Sequence, residues 1–201
     1  MKFDLKILRT LIAVVVVTLA ATACDQPVGG KKFDAADITG AEFGKDFHLT
    51  DQNGKPRSLA DFKGKVVAVF FGYTFCPDVC PTTLAELSGA LKQLDGDAAR
   101  VQVLFITVDP ERDTQAVLAR YVSFFNPDFL GLYGSAEQTK ETAKEYNVFY
   151  EKEPGNTPGS YSVSHSAGTY LYDPAGRLRL FVMYGEGGKV FVHDIKLLLS
   201  E

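Results

Sequence analysis

Two cysteines separated by three residues form the most chemically active feature of this sequence. Cys76 and Cys80 follow a short apolar run and precede a stretch of leucines at helical spacing. A proline follows each cysteine and disfavours helical backbone angles at that cysteine. We expect Pro81 to occupy the first helical position, so that Cys80 lies beside the unpaired N–H groups of the helix N-terminus. Because this position stabilises anions, we expect at least one thiolate at neutral pH.

The cysteine pair alone leaves several kinds of chemistry open. A thiolate is the nucleophile of disulfide exchange, and it is also a soft ligand for Cu(I) or Zn(II). Redox proteins with a C-x-x-C motif have two intervening residues, whereas here there are three. A turn can still bring the Cα atoms within the roughly 4.4–6.8 Å that a disulfide requires, and the wider spacing leaves room for an ion. The alternatives without redox or metal-binding function are two structural cysteines or a static disulfide.

One of the three histidines is a candidate partner of the cysteines. His48 lies beside a predicted turn and His193 on the last predicted helix, and we assign neither a function. His165 follows a segment rich in proline and glycine and precedes a predicted strand. Two thiolates and one imidazole suit copper, because imidazole binds Cu(II) while sulfur holds Cu(I). Zn(II) accepts the same donors but usually takes four ligands in a structural site, and a histidine hydrogen-bonded at a strand end is the structural alternative.

The hydrophobic pattern predicts the elements that would position these residues. Residues 65–71 and 101–108 are apolar runs without alternation, typical of parallel strands buried on both faces. Apolar residues at helical spacing follow each run. A third helix is predicted to begin with a capping box at Ser135 and Gln138 and to end near Tyr146.

Two hairpins and a loop complete the predicted domain. Asn53-Gly54 marks a tight turn near the start of the domain, and residues 173–176 mark a second turn. Residues 151–161 are so rich in turn residues that we expect a mobile functional loop. With a closing helix, this order predicts an α/β, thioredoxin-like fold with a mixed central sheet flanked by helices and an added N-terminal hairpin. Ligands of such sheets bind at the carboxyl ends of the parallel strands, where the cysteine segment begins.

The N-terminal residues have the layout of a secretory signal peptide. In residues 1–24, three basic residues precede an uncharged apolar stretch that ends in small residues before Cys24. This pattern resembles a bacterial lipoprotein signal, in which the cysteine is acylated; simple cleavage or an uncleaved anchor are the alternatives. We expect residues 25–36 to form a flexible tether and residues 37–201 to form the working domain. The predicted location is the periplasmic side of the bacterial inner membrane, with a lipid anchor.

Composition excludes several classes of protein. The apolar fraction of 46% is enough for a substantial core, so disorder is excluded for most of the chain. Three cysteines are too few for a disulfide scaffold, and no uncharged apolar run reaches the roughly 20 residues of a membrane-spanning helix. The formal net charge is −4, with no extended basic block, so we expect no binding to nucleic acid.

Three segments of the sequence resemble motifs of the Sco/SenC family of thioredoxin-like, membrane-tethered copper chaperones. They are the cysteine segment FGYTFCPDVCP (71–81), the segment VDPERDT (108–114) and the histidine region (161–166, followed by 170–176). The resemblance extends from about Phe47 to the C-terminus. It implies that Cys76, Cys80 and His165 bind one copper ion, as Cu(I), Cu(II) or both. It also implies delivery to the binuclear copper centre of cytochrome c oxidase, with the copper-bearing subunit or another copper or thiol protein as partner.

Three positions near the motifs need separate interpretation. The family often has Asp before this histidine, whereas Ser164 precedes His165 here, so we expect weaker support of the imidazole and lower Cu(II) affinity. Asp109 and Arg112 are predicted to form a local ion pair at a helix start, with docking of a partner as the alternative. Asp78 between the cysteines either orients the loop and tunes the thiols or is simply solvated.

A second function remains open from the sequence alone. The Cys76–Cys80 pair could be the redox-active pair of a thiol–disulfide oxidoreductase that reduces the cysteines of a client copper site. The sequence favours a metallochaperone and leaves thiol–disulfide oxidoreductase activity open. A copper- or redox-responsive signalling protein would use the same three residues.

Overall fold

Ten strands and four α-helices make up the part of the chain that the structure describes, residues 32–201 of a computed structural model. The strands are β1 Ala36–Asp37, β2 Leu49–Asp51, β3 Pro56–Arg57, β4 Val66–Gly72, β5 Val101–Thr107, β6 Leu130–Tyr133, β7 Tyr150–Pro154, β8 Tyr161–His165, β9 Thr169–Tyr172 and β10 Leu178–Val182. The helices are α1 Val79–Gln93, α2 Gln115–Phe125, α3 Ala136–Glu145 and α4 Gly188–Leu199. Short 3-10 helices span Leu59–Phe62 and Asp95–Arg100.

Eight strands form a mixed sheet in the order β1-β10-β9-β4-β5-β6-β2-β3. At its centre β4 and β5 run parallel, in register from Val66 opposite Val101 to Gly72 opposite Thr107. Every residue of β4 is buried, which explains its uninterrupted apolar sequence. The thioredoxin-like arrangement predicted from the sequence is confirmed. The parallel strands end at one edge of the sheet, and the cysteine segment starts there.

The helices match their predicted positions with one shift. Helix α1 begins at Val79, after Asp78 as N-cap, which is two residues earlier than expected. Pro81 is therefore the third helical residue rather than the first, and its missing N–H still falls among the orphan donors of the first turn. The predicted capping box of Ser135 and Gln138 is present at the start of α3.

The N-terminal hairpin is confirmed, but its turn is longer than predicted. Thr50 in β2 pairs with Pro56 in β3, so several residues connect the strands instead of two. Of the Asn53-Gly54 pair, only Gly54 has a positive φ, at 80°. The sequence analysis also missed β6, a four-residue strand that pairs with both β5 and β2.

The prediction of a loop at residues 151–161 is wrong over much of that range. β7 and β8 form a separate antiparallel hairpin, paired from Tyr150 opposite His165 to Pro154 opposite Tyr161. Only the connection between Pro154 and Tyr161 lies outside regular structure. β7 is almost fully exposed and has no apolar face, so the hydrophobic pattern gives no strand signal. Its pairing with β8 is fixed by backbone hydrogen bonds.

The N-terminal end of the domain is held by a buried carboxylate. Asp194 on α4 accepts hydrogen bonds from the N–H groups of Asp34 and Ala35, at 2.9 and 2.8 Å. Ala36 then pairs with Phe181 in β10. Residues 33–36, assigned above to the tether, are thus packed on the domain, whose compact unit begins at Phe33.

The proposed signal peptide, Cys24 and most of the tether lie outside the described residues. Within residues 32–201, no helix is both long and apolar enough to cross a lipid bilayer.

Candidate metal centre

The cysteine loop is anchored by a buried carboxylate from the neighbouring strand connection. Asp113 accepts hydrogen bonds from the N–H and hydroxyl of Thr74, at 3.0 and 2.6 Å, and from the hydroxyl of Thr107 at 2.6 Å. Burial raises the pKa of the Asp113 carboxyl, while these hydrogen bonds stabilise its charged form. The loop that leads to Cys76 is thereby fixed to the end of β5. Sequence reasoning assigned no role to Asp113; its place in the segment resembling a family motif was the available signal.

A glycine at the end of β4 makes room for one sulfur. A Cβ added to Gly72 would lie 2.7 Å from Cys80 Sγ and 2.8 Å from the ring of Phe105. Both distances are far shorter than a van der Waals contact. The sequence offers a weak signal for this role, because glycine at a strand end often marks the close approach of another group.

The two cysteines are free and differ in burial. Cys80, in the first turn of α1, is fully buried, whereas Cys76 in the loop is partly exposed. The N–H of Cys80 donates to Cys76 Sγ at 3.5 Å. Both sulfurs thus lie at the helix N-terminus.

The pKa values of the two cysteine thiols are shifted in opposite directions. Hydrogen bonds from the Cys80 thiol and from the N–H groups of Cys80 and Asp78 lower the pKa of Cys76 to about 5. The hydrogen bond to Cys76, together with burial, raises the pKa of Cys80 well above its ordinary value. The expected thiolate is therefore present, on Cys76, with the proton on Cys80.

His165 ends β8 and points its ring at the buried sulfur. Its Nε2 lies 3.4 Å from Cys80 Sγ, and its Nδ1 lies 2.9 Å from the carbonyl oxygen of Ser166. Because a carbonyl only accepts, Nδ1 donates its N–H to Ser166, which turns Nε2 toward the sulfur as the available donor atom for a metal. Phe70 and Tyr73 contact the imidazole edge-on, with ring centroids 6.3 and 5.9 Å away. The ring orientation is thus fixed by packing and by one hydrogen bond.

The three donor atoms converge closely enough to share one ion. Cys76 Sγ, Cys80 Sγ and a ring nitrogen of His165 all lie within 4.8 Å of one another. Donors bound to one ion at about 2.0–2.3 Å lie up to about 4.5 Å apart, so only small side-chain adjustments would be needed. Two soft sulfurs with one imidazole form a donor set suited to copper.

Ser164 gives the imidazole no side-chain hydrogen bond, as expected, and the lower Cu(II) affinity expected from this stays a prediction. Ser164 is exposed, and neighbouring side chains of a strand point to opposite faces, so it faces away from the imidazole of His165. The partner of Nδ1 is instead the main-chain carbonyl of Ser166. A side chain at position 164 is therefore not required to hold the ring in this conformation.

Four charged or histidine positions noted in the sequence and Asp78 are not among the three candidate ligands. Arg112 Nε donates to a buried oxygen of Asp109, so the predicted ion pair is confirmed. Asp78 is exposed and makes no side-chain capping hydrogen bond, although its N–H supports the Cys76 thiolate. His48 is largely exposed beside Asp46, and His193 contacts Asp194 on its own helix.

Comparison with known proteins identifies the family. The family model described as SCO1/SenC matches residues 35–200, most of the chain. The chain belongs to the SCO1/SenC family.

Individual SCO1/SenC relatives support this assignment. The mitochondrial SCO2 homolog of Bos taurus is 47% identical over 133 residues, which cover 65% of this chain and 50% of that protein. The copper-bound structure of Bradyrhizobium japonicum ScoI is 41% identical, with a TM-score of 0.70 over 77% of this chain and 98% of that one. Copper-bound yeast Sco1 is 37% identical, with a TM-score of 0.70 over 78% and 87%. The chain thus spans about half the length of the SCO2 homolog.

Proposed function

We propose that this protein binds one copper ion through Cys76, Cys80 and His165 and passes it to a client protein. The observation that carries the proposal is the convergence of these three donor atoms within 4.8 Å. The relatives from Bradyrhizobium japonicum and yeast, whose structures contain copper, support copper as the cargo. Thiolate ligands suit Cu(I) and imidazole suits Cu(II), so the donor set accommodates both oxidation states.

The difference between the two cysteines suggests an order of ligand exchange. Cys80 is buried and contacts His165, whereas Cys76 is accessible from solvent. A three-donor site leaves a coordination position that an incoming client ligand can occupy. Cys76 is then the first ligand to be displaced, while Cys80 and His165 still hold the ion. Loading releases the proton of Cys80, so copper affinity should rise with pH until that proton is lost.

The client we propose is the copper-bearing subunit of cytochrome c oxidase, or another copper or thiol protein. The family resemblance supports this client, and a structural neighbour of this chain is described as a member of the Sco family of cytochrome c oxidase assembly proteins. We further propose export by residues 1–24, acylation of Cys24 and a short tether that ends before Phe33. The domain would then work at the periplasmic face of the bacterial inner membrane.

Copper titration of the reduced, full-length protein tests this proposal. We expect one ion per chain, thiolate-to-Cu(II) charge transfer in the absorption spectrum, and nitrogen coupling in paramagnetic resonance. Alanine at both Cys76 and Cys80 should abolish loading, and His165→Ala should remove the nitrogen coupling. His193→Ala, at a histidine with carboxylate partners away from the centre, is the matched control. Undiminished copper stoichiometry in the double cysteine variant would contradict the proposal.

A second candidate function is thiol–disulfide exchange, favoured by the pKa of Cys76 at about 5 beside a protonated Cys80. The Cys76 thiolate would attack one sulfur of a client disulfide, forming a mixed disulfide and releasing the other client sulfur as a thiolate. Cys80 would then lose its proton to that thiolate and attack Cys76 Sγ, which releases the client with one thiol and one thiolate, and the thiolate takes up a proton from solvent. The client gains two electrons, and the Cys76–Cys80 pair becomes a disulfide. His165→Ala separates the two functions, because this exchange would continue without the imidazole whereas the copper centre would lose its nitrogen donor.

A further inference from the structure

The imidazole of the candidate copper centre is carried by a hairpin that lies outside the main sheet. β7 and β8 pair with each other only, and among the described strands neither joins the eight-stranded sheet. Along β8, Tyr161, Val163 and His165 are at least partly buried, whereas the residues between them are exposed. With about 3.3 Å per residue, Tyr161 and His165 lie about 13 Å apart on the same face. The position of His165 therefore depends on what holds this face of the hairpin.

A three-residue unit holds the end of β8 that is remote from His165. We call Asp109, Arg112 and Tyr161 the arginine clamp. Arg112 Nη1 donates to the carbonyl oxygen of Tyr161 at 2.9 Å, and its guanidinium carbon lies 3.6 Å from the centre of the tyrosine ring. The Tyr161 hydroxyl donates to one oxygen of buried Asp109 at 2.9 Å, while Arg112 Nε donates to the other oxygen. The clamp thus joins the hairpin to the segment that follows β5.

The same arginine also contacts the cysteine loop. Its guanidinium lies 4.8 Å from the ring centre of Phe75, the residue before Cys76, and 5.6 Å from that of Tyr73. Tyr73 in turn contacts the His165 ring. Arg112 therefore touches both segments that supply ligands.

The Nη2 atom of Arg112 takes no part in the ion pair with Asp109. Nη2 is buried and has no hydrogen-bond partner among residues 32–201. A buried donor without a partner costs free energy and calls for an explanation. The explanation is the stacking of Arg112 between the hairpin and the cysteine loop. The ring contacts fix the guanidinium in a position where Nη2 has no hydrogen-bond acceptor within reach in the described part of the chain.

We propose that Arg112 is a positioning residue for the copper centre: it fixes the His165 hairpin against the cysteine loop and so holds the imidazole at Cys80. This inference rests on the proposed copper function. Loosening the clamp displaces the nitrogen donor but leaves the two sulfurs in place, because Asp113 holds the cysteine loop through Thr74 independently of Arg112. Cu(II) depends on the imidazole more than Cu(I) does, so loss of the clamp should weaken Cu(II) binding selectively.

The test compares Arg112→Lys with a matched control, Arg57→Lys. Lysine keeps the positive charge but loses the fork that reaches both Asp109 and the Tyr161 carbonyl. We expect about tenfold weaker Cu(II) binding, little change for Cu(I), and diminished nitrogen coupling in paramagnetic resonance. Arg57 makes an equivalent bond, Nε to buried Asp51 at 2.8 Å, over the ring of Phe62, in a hairpin distant from β4 in the strand order. Arg57→Lys should leave both copper affinities unchanged.

A double variant tests whether Arg112 acts through the imidazole. Arg112→Lys should cause no further loss of Cu(II) affinity in a His165→Ala background, since the ligand it positions is already absent. Should Arg112→Lys fail to fold, Tyr161→Phe removes a single clamp hydroxyl and should shift Cu(II) affinity in the same direction. Unchanged Cu(II) affinity and nitrogen coupling in a folded clamp variant would overturn the inference, as would equal losses for Cu(I) and Cu(II). A wild-type protein that binds no copper would instead reject the proposed function itself.

Discussion

Replacing Gly72 with alanine tests the packing beneath the candidate copper centre. The new methyl group would meet Cys80 Sγ at 2.7 Å, the Phe105 ring at 2.8 Å and the Phe70 ring at 3.2 Å. A normal carbon contact is about 3.5–4.0 Å, so the sulfur and the Phe105 ring must each retreat by about 1 Å. All three side chains are fully buried, which leaves little space for that movement.

This overpacking should lower the free energy of unfolding. Extra carbon in a well-packed core destabilises a protein by about 1–3 kcal/mol. With a urea dependence of about 2 kcal/mol per molar, the unfolding midpoint should fall by about 1 M. Movement of Cys80 Sγ would also disturb its 3.4 Å contact with His165 Nε2, so the copper spectrum should change.

Gly89→Ala is the matched control, because the same substitution is expected to stabilise the protein at that position. Gly89 lies in α1, and an added Cβ would have no neighbour within 4 Å. Alanine should stabilise the helix by about 0.5–1 kcal/mol without changing the copper spectrum. Urea unfolding and copper titration of both variants provide the measurements. If Gly72→Ala unfolds at the same urea concentration as the wild type, the close approach of Cys80 to β4 is wrong.

Three further predictions concern the thiolate, the N-terminal attachment and a helix cap. Because the pKa of Cys76 is about 5, its alkylation by iodoacetamide should hardly slow between pH 8 and pH 6. An ordinary thiol of pKa about 8.5 would slow roughly 80-fold, and such a fall would contradict the lowered pKa. Asp194→Ala removes the acceptor of two N–H groups, of which that of Ala35 is buried, and should destabilise the fold by about 2 kcal/mol in urea unfolding, whereas His193→Ala, which keeps both bonds, should cost far less. Ser135→Ala removes the capping bond of α3 and should cost about 1 kcal/mol, so no change in the unfolding midpoint would contradict that role.

The sheet centre and helices could be predicted because they bury long apolar patterns. Residues 65–71 and 101–108 are apolar at nearly every position, and the same local signal defines the helices around them. The β7–β8 hairpin could not be predicted in this way. β7 has a single partly buried side chain, Tyr150, and is held mainly by its pairing with β8, a contact that depends on the tertiary fold.

The candidate site was predictable in its residues but not in its supports. Spacing and chemistry pointed to Cys76 and Cys80, and the choice of His165 followed from its place before a predicted strand. The direction of each side chain was not available from the sequence. Ser164 precedes the histidine but lies on the opposite face of β8, and Arg112 contacts the hairpin from a segment 49 residues before Tyr161.

The unequal cysteines serve either proposed chemistry, so they cannot distinguish the two. The partly exposed Cys76 thiolate is the nucleophile that a disulfide client would meet first, and it is also the copper ligand that a metal-accepting client would displace first. The imidazole lies close to both sulfurs, with its Nε2 3.4 Å from that of the buried Cys80. An imidazole beside the buried thiol serves a thiol exchanger as a general base for Cys80, and it serves a copper carrier as a donor that retains the ion while Cys76 leaves. The convergence of two sulfurs and an imidazole nitrogen within 4.8 Å is therefore what supports the proposal of copper transfer, since disulfide exchange requires only the two sulfurs.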